Sequence, residues 1–284
     1  MSQLQYLTVF SRDILIGVAQ IMLQRSAIVG AAFVVGTWIN SPMLTFLGLT
    51  GCLSSTLVAR LCKFPKQEIA DGLYGYNGML VGLGIGYFYD TELVLAGVIV
   101  IIAGSSSLLM YWMLRRGFTP FTFPFVLLTW ICMLILSLTQ SITPTPWSVP
   151  EPSTIRLLES IPRGFGQVLF QESAVTGIIF IVVIWFRGWN QGLFSIAGAS
   201  FGVAVGYLLG FGTEVINLGL FGYNGVLCGI LFAGRSWKDA VIALVAISFS
   251  VFFLSLALVW GIPALTFPFV LASWLVQWGL PSDF

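Results

Sequence analysis

Apolar positions run along this chain in long blocks, and charge, Gly and Pro punctuate them near 13–39, 42–61, 69–89, 93–114 and 118–139, then near 164–186, 190–210, 215–234, 239–260 and 263–280. There are two sets of five, and each block approaches the ~20 residues that a helix needs to cross the hydrocarbon of a bilayer. The first block of each set is longer and is interrupted, by Arg25 in one and Glu172 in the other. A half-spanning re-entrant helix fits there, or around the glycine-rich segments near 75 and 222. Between the sets lies Thr143-Pro144-Thr145-Pro146-Trp147-Ser148-Val149-Pro150-Glu151-Pro152, too rich in proline for a helix and read as an aqueous linker.

The two sets also share wording. Gly72-Leu73-Tyr74-Gly75-Tyr76-Asn77-Gly78 returns as Gly219-Leu220-Phe221-Gly222-Tyr223-Asn224-Gly225. Gln20-x-x-x-Gln24-x-Ser26-Ala27-x-x-Gly30 returns from Gln167 to Gly177, and Thr122-Phe123-Pro124-Phe125-Val126 returns from Thr266 to Val270. The offset is 147 from Gln20 to Gln167 and from Asn77 to Asn224, then 144 from Thr122 to Thr266, so about three residues are missing between the second and third motifs. Three ordered pairs at one period mark an internal duplication, with 1–142 as the first repeat, 143–156 as the linker and 157–284 as the second.

Composition fixes the environment. Charged residues make up 8% and hydrophobic ones 58%, where a soluble domain carries about a quarter charged, so an all-α integral membrane protein is expected. The formal charge of +1 gives no reason to expect a nucleic-acid partner. Histidine is absent, which removes the usual proton relay and the commonest metal ligand. Four cysteines without pair spacing suggest neither a metal site nor a disulfide framework, and no cofactor is implied. The N-terminal region, with Arg12, Asp13 and Arg25, does not read as a removable signal peptide.

Loop charge predicts orientation. Arg60, Lys63 and Lys66 make one loop basic, Asp90 and Glu92 make the next acidic, and Arg115 and Arg116 make the next basic, reading in, out, in by the positive-inside rule. The equivalent loops of the second set carry Glu214, then Arg235 and Lys238, then no charge at Gly261, reading out, in, out. The halves therefore read as inverted in the membrane, with the linker outside and both termini cytoplasmic.

The repeated motifs carry the candidate chemistry. Asn77 and Asn224 lie in apolar stretches where an exposed amide is costly, so they either line a polar path through a broken helix or support freed backbone where glycines let helices approach. Pro124 and Pro268, read as helix-interior residues, would leave the carbonyls of Pro120 and Ala264 without their helical partner. If that row of acceptors faces a path, Thr122 and Thr266 add hydroxyls; the other reading is a proline kink. Gln20 with Gln24, and Gln167 with Gln171, would each share one helix face, as acceptors for a solute or as interhelical bonds. The carboxylates are not repeated (Glu172 matches Arg25, Asp71 matches Leu218, Glu214 matches Gln67) and read as solvated or interfacial charge rather than a coupling-ion site.

The Gly-Leu-Tyr-Gly-Tyr-Asn run at 72–77, Gln167-Val168 with Gly177, and Ile262-Pro263-Ala264-Leu265-Thr266-Phe267-Pro268-Phe269 closely resemble the urea transporter family. The resemblance extends over nearly the whole chain. It implies two homologous inverted halves, each of about five transmembrane helices and a tilted re-entrant half-helix, with a central pore between the halves of each protomer, a homotrimer in lipid, and passive channel-like conduction of urea across the inner or plasma membrane. By the same resemblance, Gln20 and Gln167 are the pore glutamines, Thr122 and Thr266 the central threonines, and Leu23 with Leu80, and Phe170 with Leu227, the flat apolar slots. Leu23 stands where the family often has Phe, and Ser26-Ala27 and Ser173-Ala174 replace a common Asn-Pro, departures that bear on selectivity among close analogues more than on the fold; slower permeation of urea analogues, ammonia or water is also expected. The other reading kept open is an ion- or proton-coupled transporter of a small polar neutral solute.

Overall fold

The computed structural model describes residues 3–146 and 154–279, and every regular element in them is helical. The chain divides into two compact units, Met1–Trp147 and Ser148–Phe284. Of the proline-rich segment read as a linker, 147–153 lie outside the described residues.

The first unit runs α1 (Gln3–Gln20), α2 (Ala27–Asn40), α3 (Pro42–Leu61), α4 (Lys66–Ala70), α5 (Gly75–Phe88), α6 (Leu93–Arg115) and α7 (Phe123–Thr139). The second runs α8 (Leu157–Gln167), α9 (Ala174–Arg187), α10 (Trp189–Leu208), α11 (Thr213–Asn217), α12 (Tyr223–Leu231), α13 (Trp237–Val259) and α14 (Phe267–Gly279). Helices α2, α3 and α4 recur in α9, α10 and α11 with unchanged lengths of 14, 20 and 5 residues at the offset of 147. Helix α6 recurs as α13, again 23 residues, at the offset of 144. The missing residues fall where α12, 9 residues against 14 in α5, stops early.

Ten uninterrupted crossings are not what these blocks form. Among the described residues, four helices are long and apolar enough to cross a bilayer: α3, α6, α10 and α13. The first block of each set is broken at 21–26 and at 168–173, the third block is a short helix, a turn and a second helix, and the fifth becomes helical only at Phe123 or Phe267. The breaks follow from left-handed backbone and from proline at a helix start, neither of which hydropathy registers.

Glycine sets the packing inside each unit. Helix α3 crosses α5 so closely at Gly51 that a Cβ there would lie 2.1 Å from the Gly78 carbonyl oxygen; in the second unit a Cβ on Gly198 would lie 2.2 Å from that of Gly225. Only hydrogen fits between such backbones. Within the first unit Arg115 pairs with Glu68, which joins the two basic loops at one end. Asp90 N–H donates to the Thr143 carbonyl at 3.0 Å and Thr145 N–H to that of Phe88 at 2.9 Å. The acidic loop is thereby tied to the chain leaving α7.

Candidate functional site

Both pore-candidate glutamines are the last residue of their helix, and the chain beyond each turns the same way. Leu23 N–H donates to the Gln20 carbonyl at 3.0 Å and Gln24 N–H to that of Ala19 at 3.1 Å; Phe170 and Gln171 repeat the pattern on Gln167 and Gly166 at 3.1 and 3.0 Å. This paired closure of a helix C-terminus requires a left-handed residue, ordinarily glycine. Here the residues are Leu23 and Phe170, each at φ 57°. A bulky side chain held in left-handed backbone costs about 1–2 kcal/mol, and such strain at matched positions points to a role for the side chains themselves. Both are only partly buried.

The glutamine amides are fixed. Gln20 Nε2 donates to the Asp71 carbonyl at 2.7 Å, and Gln167 Nε2 to the Leu218 carbonyl at 3.0 Å. Each of those carbonyls precedes a glycine in left-handed backbone, Gly72 (φ 74°) or Gly219 (φ 80°), packed so tightly that a Cβ would sit 2.6 Å from Gly17 N or 2.4 Å from Gly164 N. Because only the NH2 end of a side-chain amide bonds a carbonyl, the orientation is settled chemically. Oε1 of each glutamine is left without a protein donor among the described residues, though neither atom is sealed from solvent. Gln24 and Gln171 are almost fully buried and donate back to Met22 and Leu169 at 3.1 and 2.8 Å. They brace the breaks and do not share a helix with Gln20 or Gln167, which end their own.

The second cluster joins the Gly-Tyr-Asn-Gly and Thr-Phe-Pro-Phe motifs. Tyr76 Oη–H and Asn77 Nδ2 both donate to the Phe121 carbonyl, at 2.5 and 3.3 Å, while Asn77 Oδ1 accepts from Phe125 N–H at 3.1 Å. Tyr223 and Asn224 do the same to Leu265 at 2.6 and 3.4 Å, and Phe269 N–H donates to Asn224 at 3.0 Å. Phe121 (φ 46°) and Leu265 (φ 48°) are the clamped left-handed residues just before Thr122 and Thr266. The asparagine is thus a helix cap supplied by another helix, and Thr122, at the N-cap of α7, makes no side-chain capping bond. Both threonines are 3% exposed.

The prolines act otherwise than helix-interior geometry implies. Pro124 lies in the first turn of α7, where a missing N–H costs nothing, and Pro268 is second in α14. The Pro120 and Ala264 carbonyls accept from Phe123 and Phe267 N–H at 3.0 and 3.1 Å. No row of bare acceptors arises there, and neither proline kinks a helix.

Compared with known proteins, residues 12–279 match the urea transporter family. The chain belongs to that family. It is 28% identical over 289 residues to urea transporter 1 of Mus musculus and to that of Rattus norvegicus, and 27% identical over 292 residues to that of Ovis aries; each alignment covers 92% of this chain and 75% of the relative. Membership of the urea transporter family makes the chain an integral membrane transport protein and not an enzyme.

Against the urea transporter resemblance drawn from sequence, Leu80 and Leu227 lie one turn beyond Asn77 and Asn224 and are fully buried. Of the carboxylates read as solvated or interfacial charge, Asp71 has a side chain 18% exposed that pairs with Arg25 and accepts from Gln67 Nε2 at 2.9 Å. Sequence reasoning gave Tyr76 and Tyr223 no role, although their repetition was a usable signal. Phe121 and Leu265 carried none, since left-handed backbone is not written in residue type.

Proposed function

We propose that this protein conducts urea passively across the inner or plasma membrane, in the manner of a channel. Gln20, Gln167, Thr122 and Thr266 serve as acceptors for its N–H groups. Leu23 with Leu80, and Phe170 with Leu227, serve as apolar walls for its flat faces; Asn77, Asn224, Pro124 and Pro268 hold the helix starts. The observation that carries this reading is the pair of glutamine oxygens, each left without a protein donor among the described residues while its own amide is tied to backbone. Urea is planar, neutral and rich in donors, so acceptors beside apolar walls suit it, and weak sites in series let it leave as readily as it enters. Small amides, ammonia and water pass more slowly. The halves cross the membrane in opposite senses, both termini are cytoplasmic, and the assembly is a homotrimer; loop charge supports the first two and family resemblance the third.

Stopped-flow light scattering on proteoliposomes under an inward urea gradient tests the function. Shrinkage that recovers faster than in empty liposomes, and does so without any ion gradient, is the expected result. Recovery no faster than in empty liposomes refutes urea conduction, and uptake that ceases when a sodium or proton gradient is collapsed replaces the passive reading with a coupled transporter.

A further inference from the structure

The two glutamines make the same bond to backbone, but what steadies that backbone differs. In the first unit Asp71 is the meeting point: its carbonyl accepts from Gln20, and its carboxylate accepts from Gln67 and pairs with Arg25. Arg25 lies two residues beyond Leu23, in the same non-helical break that follows Gln20. The ion pair therefore closes a ring, running from the glutamine through its wall residue to Arg25 and back through Asp71. In the second unit Glu172 and Leu218 stand in place of Arg25 and Asp71, so this pair cannot form. There Arg163, on α8, reaches the neighbouring carbonyl of Asn217 at 3.0 Å and is held by Glu159 at 2.9 Å.

The geometry points to Arg25 and Asp71 as positioning residues that hold the Gln20 amide so that its oxygen, and not its NH2, meets the solute. Neither residue touches urea. This inference rests on the proposed conduction of urea and adds that the acceptor of the first unit is held ionically, at a site open to salt: the Arg25 side chain is 59% exposed. A released amide turns freely and presents donors to a donor-rich solute for part of the time. The cost is the steering that one exposed ion pair supplies, roughly a two- to fivefold rise in the half-saturation concentration for urea.

The test compares wild-type proteoliposomes with Arg25→Gln, Asp71→Asn and the charge-exchanged double variant Arg25→Asp/Asp71→Arg, at low salt and in about 1 M KCl on both sides, where the screening length falls to roughly 3 Å. The single variants are expected to raise the half-saturation concentration by that factor while the maximal rate changes less, and the exchanged pair to restore it. Wild type is expected to drift toward the Arg25→Gln value in high salt, while Arg25→Gln itself ignores salt; a purely structural role would not produce that difference. Should Asp71→Asn fail to fold, the exposed Arg25→Gln decides alone. Conducting wild type alongside an unchanged half-saturation and unchanged salt dependence in Arg25→Gln overturns the inference and leaves the function standing. Wild type that does not conduct urea overturns both.

Discussion

At the scale of single residues, the most telling positions are those whose backbone suits a different side chain. Leu23 and Phe170 occupy a turn that glycine fills without cost, and both units retain a bulky apolar residue there. Phe170→Ala is expected to loosen discrimination between urea and bulkier analogues, read as relative permeabilities; unchanged ratios would remove the wall role. Phe170→Gly should be more stable than Phe170→Ala by about 1 kcal/mol, read as a higher unfolding temperature, because glycine relieves the left-handed strain that alanine keeps. Thr122→Val and Thr266→Val each keep shape and remove a hydroxyl, and up to about a tenfold fall in urea flux is expected for each, the scale of one lost hydrogen bond. Wild-type flux in the double variant would contradict this. Asn77→Ala strips a buried acceptor from Phe125 N–H and a donor from the Phe121 carbonyl, a loss of about 1–3 kcal/mol measurable as a lower unfolding temperature in detergent.

At the scale of helices, sequence disclosed the duplication in detail and the breaks only in part. The 147 and 144 offsets between motifs recur as the offsets between helices, and even the three missing residues fall between the motifs that bracketed them. Arg25 and Glu172 mark blocks that do break. What escaped were bonds across long sequence separations: Asn77 to the Phe121 carbonyl and Gln20 to the Asp71 carbonyl join residues 44 and 51 apart. No local pattern announces such partners. Pro124 was misread for a related reason, since proline at a helix start and proline within a helix look alike until the start is known. Where the helices cross, Gly51→Ala and Gly198→Ala each push a methyl against backbone, which cannot rotate away as a side chain does. Each should cost at least about 1–3 kcal/mol, and a melting temperature equal to wild type would argue against the close crossing.

At the scale of the whole molecule, orientation in the membrane is open to a direct chemical test. Of the four free cysteines, Cys62 is exposed and Cys52, Cys132 and Cys228 are buried. Cys62 belongs to a loop read as cytoplasmic, so a membrane-impermeant thiol reagent should label it in inside-out vesicles and not in intact cells. Its counterpart at the offset of 147 is the exposed Leu209. Leu209→Cys in a Cys62→Ser background should reverse that pattern, and labelling from the same face would end the inverted reading. The clamp on Phe121 and Leu265 has a further consequence at this scale. It fixes the starts of α7 and α14 at Thr122 and Thr266, and the start of a helix carries about half a positive charge. A solute that meets either threonine hydroxyl meets that charge with it. On the path proposed above, urea, having no net charge, is little affected, whereas ammonium or potassium would be repelled by the aligned peptide dipoles, a cation barrier that would use no charged side chain.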